Sequence, residues 1–346
     1  MAALPESMVA AVADGYGGPE VVRLGEVPVP TAGRGEVVVA VAWSTVGRTE
    51  TCIRAAMPSV AIRAVYGLRR PRVGVLGAAI AGTVVEVGRE VDNFAIGDMV
   101  MGFDDQRLGG HAPFAARPAS SSLVPLPDGV EPAAAAAVLE GAHYALPLVD
   151  RLAPTRGDRV LLQGGGGAIG VAALQLLVAA GCETTALVDA GQQALVQDLG
   201  AARALDRATT TITDLAVAGE RFDHVVDTVE ALSFRDAAPA LVPGGGFVSV
   251  SPGRFGHHLV LAAASSLPLP GRAGRPRVVS PLPRSPRTTV PVIADRLRRG
   301  ELTPVVETTM PLTDIVAAHR LVDGAAKTGS VVIEVDAPES EQAWTP

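Results

Sequence analysis

The chain has 346 residues, 48% of them apolar, and a formal net charge of −7. That length exceeds a single ordinary core and predicts two domains, while the negative balance argues against a nucleic-acid partner. Lys327 is the only lysine, which excludes a Walker phosphate loop and any lysine Schiff base elsewhere. The two cysteines, Cys52 and Cys182, lie far apart, so a disulfide framework is not expected and a cytoplasmic setting is. Glu6 and Asp14 interrupt any N-terminal apolar stretch, and the longest apolar runs are too short to span a bilayer.

In chain order, the first third reads as short valine-rich strands: Val9 to Val12, Val21 to Leu24, Val37 to Trp43, Ala79 to Val87 and Asp98 to Met101. Turns rich in Gly and Pro separate them, which suggests a small barrel. From Glu131 the pattern changes. Ala133 to Leu152 reads as a helix, and five buried strands follow at Val160 to Leu162, Thr184 to Val188, Ala204-Leu205, His224 to Asp227 and Gly246 to Ser251. Helices at Ile169 to Ala180 and Gln192 to Leu199 alternate with them, and this alternation implies a parallel sheet covered on both faces. A further helix is expected over Leu259 to Leu267, then a Pro, Gly and Arg loop over Pro268 to Pro276 and a strand at Arg277 to Ser280. Thr289 to Arg299 has helical spacing, Val331 to Val335 reads as a last strand, and the residues beyond Asp336 are expected to fray.

The most informative stretch is Arg159-Val-Leu-Leu-Gln-Gly-Gly-Gly-Gly-Ala-Ile-Gly. It is a strand, a glycine turn (Gly164, Gly165, Gly166, Gly167) and a helix opening at Ala168, Ile169 and Gly170. Gly165, Gly167 and Gly170 fit the dinucleotide fingerprint G-x-G-x-x-G, in which glycines let the backbone approach a pyrophosphate resting on a helix N-terminus. An acid, Asp189, stands nineteen residues past Gly170, where it would accept ribose hydroxyls and repel a 2′-phosphate. That inclines the cofactor expectation to NADH over NADPH. The bland alternative is a glycine-rich turn with no ligand.

Taken in order, the segments resemble the medium-chain dehydrogenase/reductase superfamily, most closely its zinc-free quinone oxidoreductase-like branch. The likeness is carried by Tyr16-Gly-Gly-Pro-Glu-Val-Val, Ala81-Gly-Thr-Val-Val-Glu-Val-Gly, Phe94-Ala-Ile-Gly-Asp-Met-Val, Arg221-Phe-Asp-His-Val-Val-Asp-Thr-Val, Leu241-Val-Pro-Gly-Gly-Gly and Ala317-Ala-His-Arg-Leu-Val. It implies an α/β chain: a GroES-like β-barrel domain from residues 1–128 and 286–346, and a Rossmann doubly wound domain from 129–285. It also implies an NAD(P)H cofactor held by the glycine loop, Thr228 and Ser251, a small-molecule substrate and a homodimer. Dimerisation drew further support from the apolar strand Gly246 to Ser251, expected at a sheet edge that needs cover.

Zinc-dependent relatives hold their metal with a cysteine, a histidine and a later cysteine or acid. Here Gly47 stands at the first position, Ala78 at the second, and only Glu140 remains near the third. One carboxylate cannot hold a zinc that needs three protein ligands, so the chain is expected to be metal-free. The cleft residues depart from the family as well. Ser44-Thr-Val-Gly-Arg-Thr-Glu carries Gly47 in place of an asparagine, and Arg48 and Thr49 stand where relatives that reduce enoyl thioesters often have a tyrosine nearby. Tyr66 either swings in from the following loop or packs. An ungapped count from Gly164 places His143 where relatives often carry a threonine beside the nicotinamide ring, with Glu140 one helical turn away. As an acid/base pair, Glu140 would raise the imidazole pKa; the other reading is a partly buried helix histidine bonded to a neighbour. Of the remaining histidines, His111 is expected to be solvated, His257-His258 to lie in a polar turn, and His224 and His319 to be structural.

These features point to hydride transfer from a nicotinamide to a small conjugated carbonyl, a quinone or an enone. The alternatives are a non-redox lyase or cyclase on the same fold, or a nucleotide-binding protein without catalysis.

Overall fold

The computed structural model describes residues 4–120, 122–251, 257–266, 274–279, 284–324 and 327–335. They form two compact units, one of residues 1–140, 285–300 and 304–346, the other of 141–284 and 301–303. The chain enters the first unit through a hairpin, β1 (Ser7–Ala13) and β2 (Val22–Pro28), then the long strand β3 (Glu36–Val46). Two helices follow, α1 (Arg48–Ala55) and α2 (Ser59–Tyr66), where only strands and turns were expected. The reason for α1 is local. Glu50, the third residue of that helix, turns its carboxylate back to accept the Gly47 N–H at 2.9 Å, which satisfies a donor that a helix start leaves open.

β4 (Ala79–Val87), β5 (Met99–Phe103), β6 (Phe114–Pro118) and β7 (Leu123–Pro125) complete the first pass, and α3 (Pro132–Leu152) leads away. β4 coincides with the predicted strand. The second unit alternates β8 (Arg159–Gln163), α4 (Ala168–Ala179), β9 (Glu183–Val188), α5 (Gln193–Asp198), β10 (Arg203–Asp206), α6 (Ile212–Val217), β11 (Phe222–Asp227), α7 (Phe234–Ala237), β12 (Leu241–Ser249), α8 (His257–Ser266) and β13 (Arg277–Val279). The return contributes α9 (Pro286–Arg298), β14 (Val306–Pro311), α10 (Ile315–Asp323) and β15 (Ser330–Glu334) to the first unit. Most of the loop expected over 268–276, and the tail expected to fray, lie outside the described residues.

In the first unit the main sheet runs β14-β15-β3-β4-β5-β7, with β6 also paired to β3. Val38, Val85 and Phe114 are buried together, with Met8 and Val29 of the hairpin region packed on them. The second unit holds an all-parallel sheet in the order β10-β9-β8-β11-β12-β13. Numbered within the unit, that is 3-2-1-4-5-6, the doubly wound order whose switch point lies between its first and fourth strands. Leu161, Leu187, Ile212, Leu215, Phe222, Val225 and Phe247 form one of its buried clusters.

Three expectations need correction. β12 is not at a sheet edge: β11 and β13 pair with it on either side, because the short run Arg277–Val279 adds one more strand. The homodimer expectation therefore rests on resemblance alone. His257 and His258 open a helix rather than a turn. His111 is fully buried, not solvated. Its Nε2 lies 2.8 Å from the Thr45 carbonyl, and its ring packs edge-on against buried His319, with centroids 6.1 Å apart. Among the described residues, no helix is long and apolar enough to cross a membrane.

The buried histidine pair gives the first unit a pH dependence. Burial holds His111 down to about 4, and burial with the nearby His111 and Arg54 takes His319 down to about 2. Both folded values lie below the unfolded value near 6.5, so the unfolded chain binds more protons and acid favours it. Stability is fully present above about pH 6.5 and falls as pH drops towards 4, by about 1.4 kcal/mol per pH unit for each histidine. Thermal melts of the wild type should show Tm declining over that window, and His319→Leu should flatten the decline; identical pH slopes for the two proteins would refute the assignment.

Candidate active site

The glycine loop sits at the switch point of the parallel sheet. Gly164, directly after β8, has φ +84°, a left-handed conformation that glycine adopts without cost. The Thr228 hydroxyl, just beyond β11, donates to the Gln163 carbonyl at 2.9 Å and lies 3.1 Å from that of Gly164, bracing the turn from the neighbouring strand. Each remaining glycine has its own reason. A Cβ on Gly170 would stand 2.0 Å from the Gly164 carbonyl oxygen, so only glycine lets α4 pack this close to the strand. A Cβ on Gly166 would meet Gln192, and one on Gly165 would touch Ala186, Leu162 and Val188 at 3.3 Å. A Cβ on Gly167 would meet nothing within 4 Å. Gly167 caps α4, with Ala168 and Ile169 as the first helical residues, so the helix N-terminus faces open space where a pyrophosphate would rest. The loop fits the dinucleotide that the fold implies.

The ribose end is more complex than the sequence suggested. Asp189 stands one residue past β9, but its carboxylate is held by Arg207, with Nε to Oδ1 at 2.6 Å and Nη2 to Oδ2 at 2.9 Å. Arg207 lies one residue past β10, eighteen residues along the chain from Asp189. Ser251, beyond β12, donates its N–H to Ser249 Oγ at 3.4 Å, and its carbonyl lies 3.2 Å from His258 Nδ1.

In the first unit, Gly47, Ala78 and Glu140 do meet. Glu140 points its carboxyl into the space that a side chain at residue 47 would take. A Cβ there would lie 1.3 Å from Glu140 Oε2, and Oε1 accepts the Thr49 N–H at 2.8 Å. Glu50, fully closed from solvent, accepts N–H bonds from Gly47 at 2.9 Å and Ala78 at 2.8 Å. Burial first, and then the neighbouring Glu140 charge, push its carboxyl up to about 8. Lys327 lies in the same electrostatic neighbourhood. Its ammonium donates to the Gly329 carbonyl, is pulled down by burial, and is held up by Glu140 and then Glu307. Sequence reading missed Glu50, although the Gly47-x-x-Glu50 spacing is a capping signal. It noted Lys327 only as a count. A zinc ion does not fit here: alanine and glycine occupy two ligand positions, and the third group fills the metal-side space and is spent on a backbone N–H. Among the described residues, no group of three His, Cys, Asp or Glu side chains is placed to share a metal.

The other catalytic candidates are placed as follows. Arg48 is exposed at the first position of α1. Tyr66 ends α2, and its hydroxyl donates to the Asp105 carbonyl at 2.7 Å; burial, with Asp105 next, holds the phenol well above its usual range. His143 is buried on α3, with its ring edge-on to Tyr144. The expected tuning is reversed: burial alone drives the imidazole down to about 4, while the Glu140 carboxylate is turned to Thr49.

Comparison with known proteins agrees with this geometry. Residues 33–128 match the alcohol dehydrogenase GroES-like domain, and residues 199–333 match the zinc-binding dehydrogenase model. The quinone-oxidoreductase QR1 of Triphysaria versicolor is 25% identical over 93% of this chain and 96% of its own. The trans-enoyl reductase himH of Aspergillus japonicus is 31% identical over 51% of this chain. Of two curated relatives, the chain spans 6% and 56% of the length. The solved quinone oxidoreductase of Coxiella burnetii superposes with a TM-score of 0.81 at 22% identity, over 95% of this chain and all of that one. The chain belongs to the medium-chain dehydrogenase/reductase superfamily. Within it, the chain falls in the quinone oxidoreductase-like branch.

Two substitutions probe the site. Gly167→Ala should leave Tm unchanged, since the methyl meets open space, yet raise the nicotinamide-dinucleotide Kd at least ~10-fold, roughly 1.4 kcal/mol; unchanged binding by calorimetry would remove the loop from the cofactor site. Gly47→Ala should displace Glu140 and leave the Thr49 N–H without its acceptor, at a cost of about 1–3 kcal/mol. Chemical melts should then show Gly47→Ala and Glu140→Ala to be non-additive, the double variant being no less stable than either single; additive losses would contradict the packing described.

Proposed function

We propose that this chain is a zinc-independent, NAD(P)H-dependent reductase of small conjugated carbonyls, enones or quinones. The observation that carries the reading is the doubly wound sheet with an open glycine loop and helix N-terminus at its switch point. The names of two relatives, a trans-enoyl reductase and a quinone oxidoreductase, support the substrate class. Zinc independence is supported by the Glu140 carboxyl in the space of residue 47 and by Ala78 where a ligand would stand.

When bound, a reduced nicotinamide supplies the hydride. The protein holds and orients. The amides at the start of α4 receive the pyrophosphate, Thr228 keeps the turn rigid, and Asp189 with Arg207 meets the adenosine ribose. Because Arg207 neutralises Asp189, the acid does not exclude a 2′-phosphate, and the guanidinium offers that phosphate a partner. We therefore set aside the NADH preference suggested by sequence and propose that both cofactors are accepted. His143 enters as a neutral imidazole at physiological pH, able to donate one N–H hydrogen bond but not to act as an imidazolium acid.

The test is cofactor oxidation, followed by absorbance, with NADH and NADPH against a panel of enones, 2-enoyl thioesters and quinones in the presence of a zinc chelator. Turnover with at least one class is expected, undiminished by chelation. Cofactor binding with no turnover across the panel would favour the non-redox alternative. Arg207→Ala should weaken NADPH binding at least ~10-fold more than NADH binding; equal effects on both would place the 2′-phosphate elsewhere.

A further inference from the structure

We propose that the first unit carries a ligand site of its own, which binds a monocarboxylate with an apolar body through the buried guanidinium of Arg117. The site depends neither on the glycine loop nor on the reductase reading above.

The observation begins with a cavity of about 450 Å³ formed wholly by residues of the first unit. Phe114, Ala115, Ala116 and Arg117, four consecutive residues of β6, line it. Side chains of a strand alternate between two faces, so four in a row meet one space only along the strand's edge. β3 pairs with β6 on one side, and among the described residues no other strand pairs with it. The cavity therefore lies along the open edge. Its wall is largely apolar, with Met8 and Val27 of the hairpin, Val75, Leu108 and Phe114. An apolar hollow with one charged group is the usual make-up of a small-ligand site.

Arg117 supplies that charge. The residue is 3% exposed. Its Nη1 donates to the adjacent Ala116 carbonyl at 3.0 Å, whereas Nε and Nη2 are closed to water and have no hydrogen-bond partner among the described residues. Burial pulls the guanidinium down to about 10, against the upward pull of the nearby Asp104 carboxylate, so it stays charged at neutral pH. A buried charge with open donors is costly unless an acceptor meets them.

The two open nitrogens select the ligand. Nε–H and the neighbouring Nη2–H point the same way along one edge of the planar guanidinium, a fork that fits the two oxygens of a carboxylate. Arg207 uses that same edge on Asp189, Nε to Oδ1 at 2.6 Å and Nη2 to Oδ2 at 2.9 Å. Among the described residues no carboxylate lies on the Arg117 fork. Asp104 spends Oδ1 on the N–H groups of Gln106 and Arg107, at 3.0 and 2.9 Å, and Glu36 holds Arg107 at 2.8 Å. The negative charge of Asp104 nearby opposes a ligand of higher charge, which favours a monocarboxylate over a phosphate. Gly109, at φ +90°, adds no side chain beside the guanidinium; a Cβ there would stand 3.6 Å from Nη1. Gln106 and Arg107 line the cavity from the exposed loop between β5 and β6. An exposed ion pair such as Arg107–Glu36 contributes little and parts readily, so this loop is where the ligand's carboxylate passes to the fork.

The test is calorimetry and thermal melting of the full chain with octanoate and benzoate as probes, set against octanamide and inorganic phosphate. Both carboxylates should bind and raise Tm, and octanamide and phosphate should each bind at least ~10-fold more weakly than octanoate. Arg117→Met keeps the apolar stem and removes the fork. It should weaken octanoate at least ~10-fold, while Tm without ligand holds or rises. Val27→Trp leaves Arg117 in place and puts an indole into the cavity, and should weaken octanoate at least as much. Should Arg117→Met fail to fold, the octanamide comparison and Val27→Trp decide. Octanamide or phosphate binding as tightly as octanoate, or an undiminished affinity in a folded Arg117→Met, overturns the carboxylate fork. Unchanged octanoate affinity in Val27→Trp overturns the cavity, and no binding of either carboxylate up to about 10 mM overturns the site.

Discussion

A glycine at position 47 leaves a hole the size of a side chain, and a carboxyl from α3 fills it. Much of the first unit's chemistry follows from that exchange. Any side chain at 47 would force Glu140 away and free the Thr49 N–H at the start of α1. With Glu140 in place, Glu50 gains a like-charged neighbour in addition to its burial, and its proton is held more tightly. Lys327, the one lysine in the chain, then has a carboxylate that opposes the downward pull of burial on its amine. The cluster is a set of mutual dependences, in which removing one member changes the protonation of the rest.

The same exchange bears on the metal question. One of the family models that the chain matches is described as a zinc-binding dehydrogenase, which implies a metal. The side chains argue otherwise. A metal site needs open donor atoms converging on a common point, whereas here the converging carboxylates are engaged by backbone N–H groups and the central space is occupied. Positive charge reaches this region from Lys327 and, at a distance, Arg48.

The parallel sheet was legible in the sequence because its strands are buried on both faces. Continuous apolar runs separated by helical spacing leave little choice of topology, and Gly164 to Gly170 marks where that topology turns. The first unit was less legible. β4 came out at its predicted bounds, but α1 and α2 were missed, because the signal for α1 is a capping carboxylate rather than apolar periodicity. β12 was set at an edge because Arg277–Val279 is only three residues long and the pairing that covers it is nonlocal.

The site shows the same division between local and nonlocal information. The glycine turn could be assigned from spacing, since Gly164, at φ +84°, and Gly170, against the Gly164 carbonyl, answer to backbone geometry a few residues away. Asp189 could be found but not interpreted, because its partner Arg207 lies eighteen residues on, just past the end of the next strand. The pairing of Glu140 with His143 was inferred from helical spacing, which puts two side chains on a common face but does not say which neighbour each will choose. The part-buried Thr49 N–H needs an acceptor, and leaving it without one costs more than an exposed helix pair returns. Glu140 therefore serves the backbone first, and the carboxyl neighbour that spacing alone could not reveal is the capping residue Glu50.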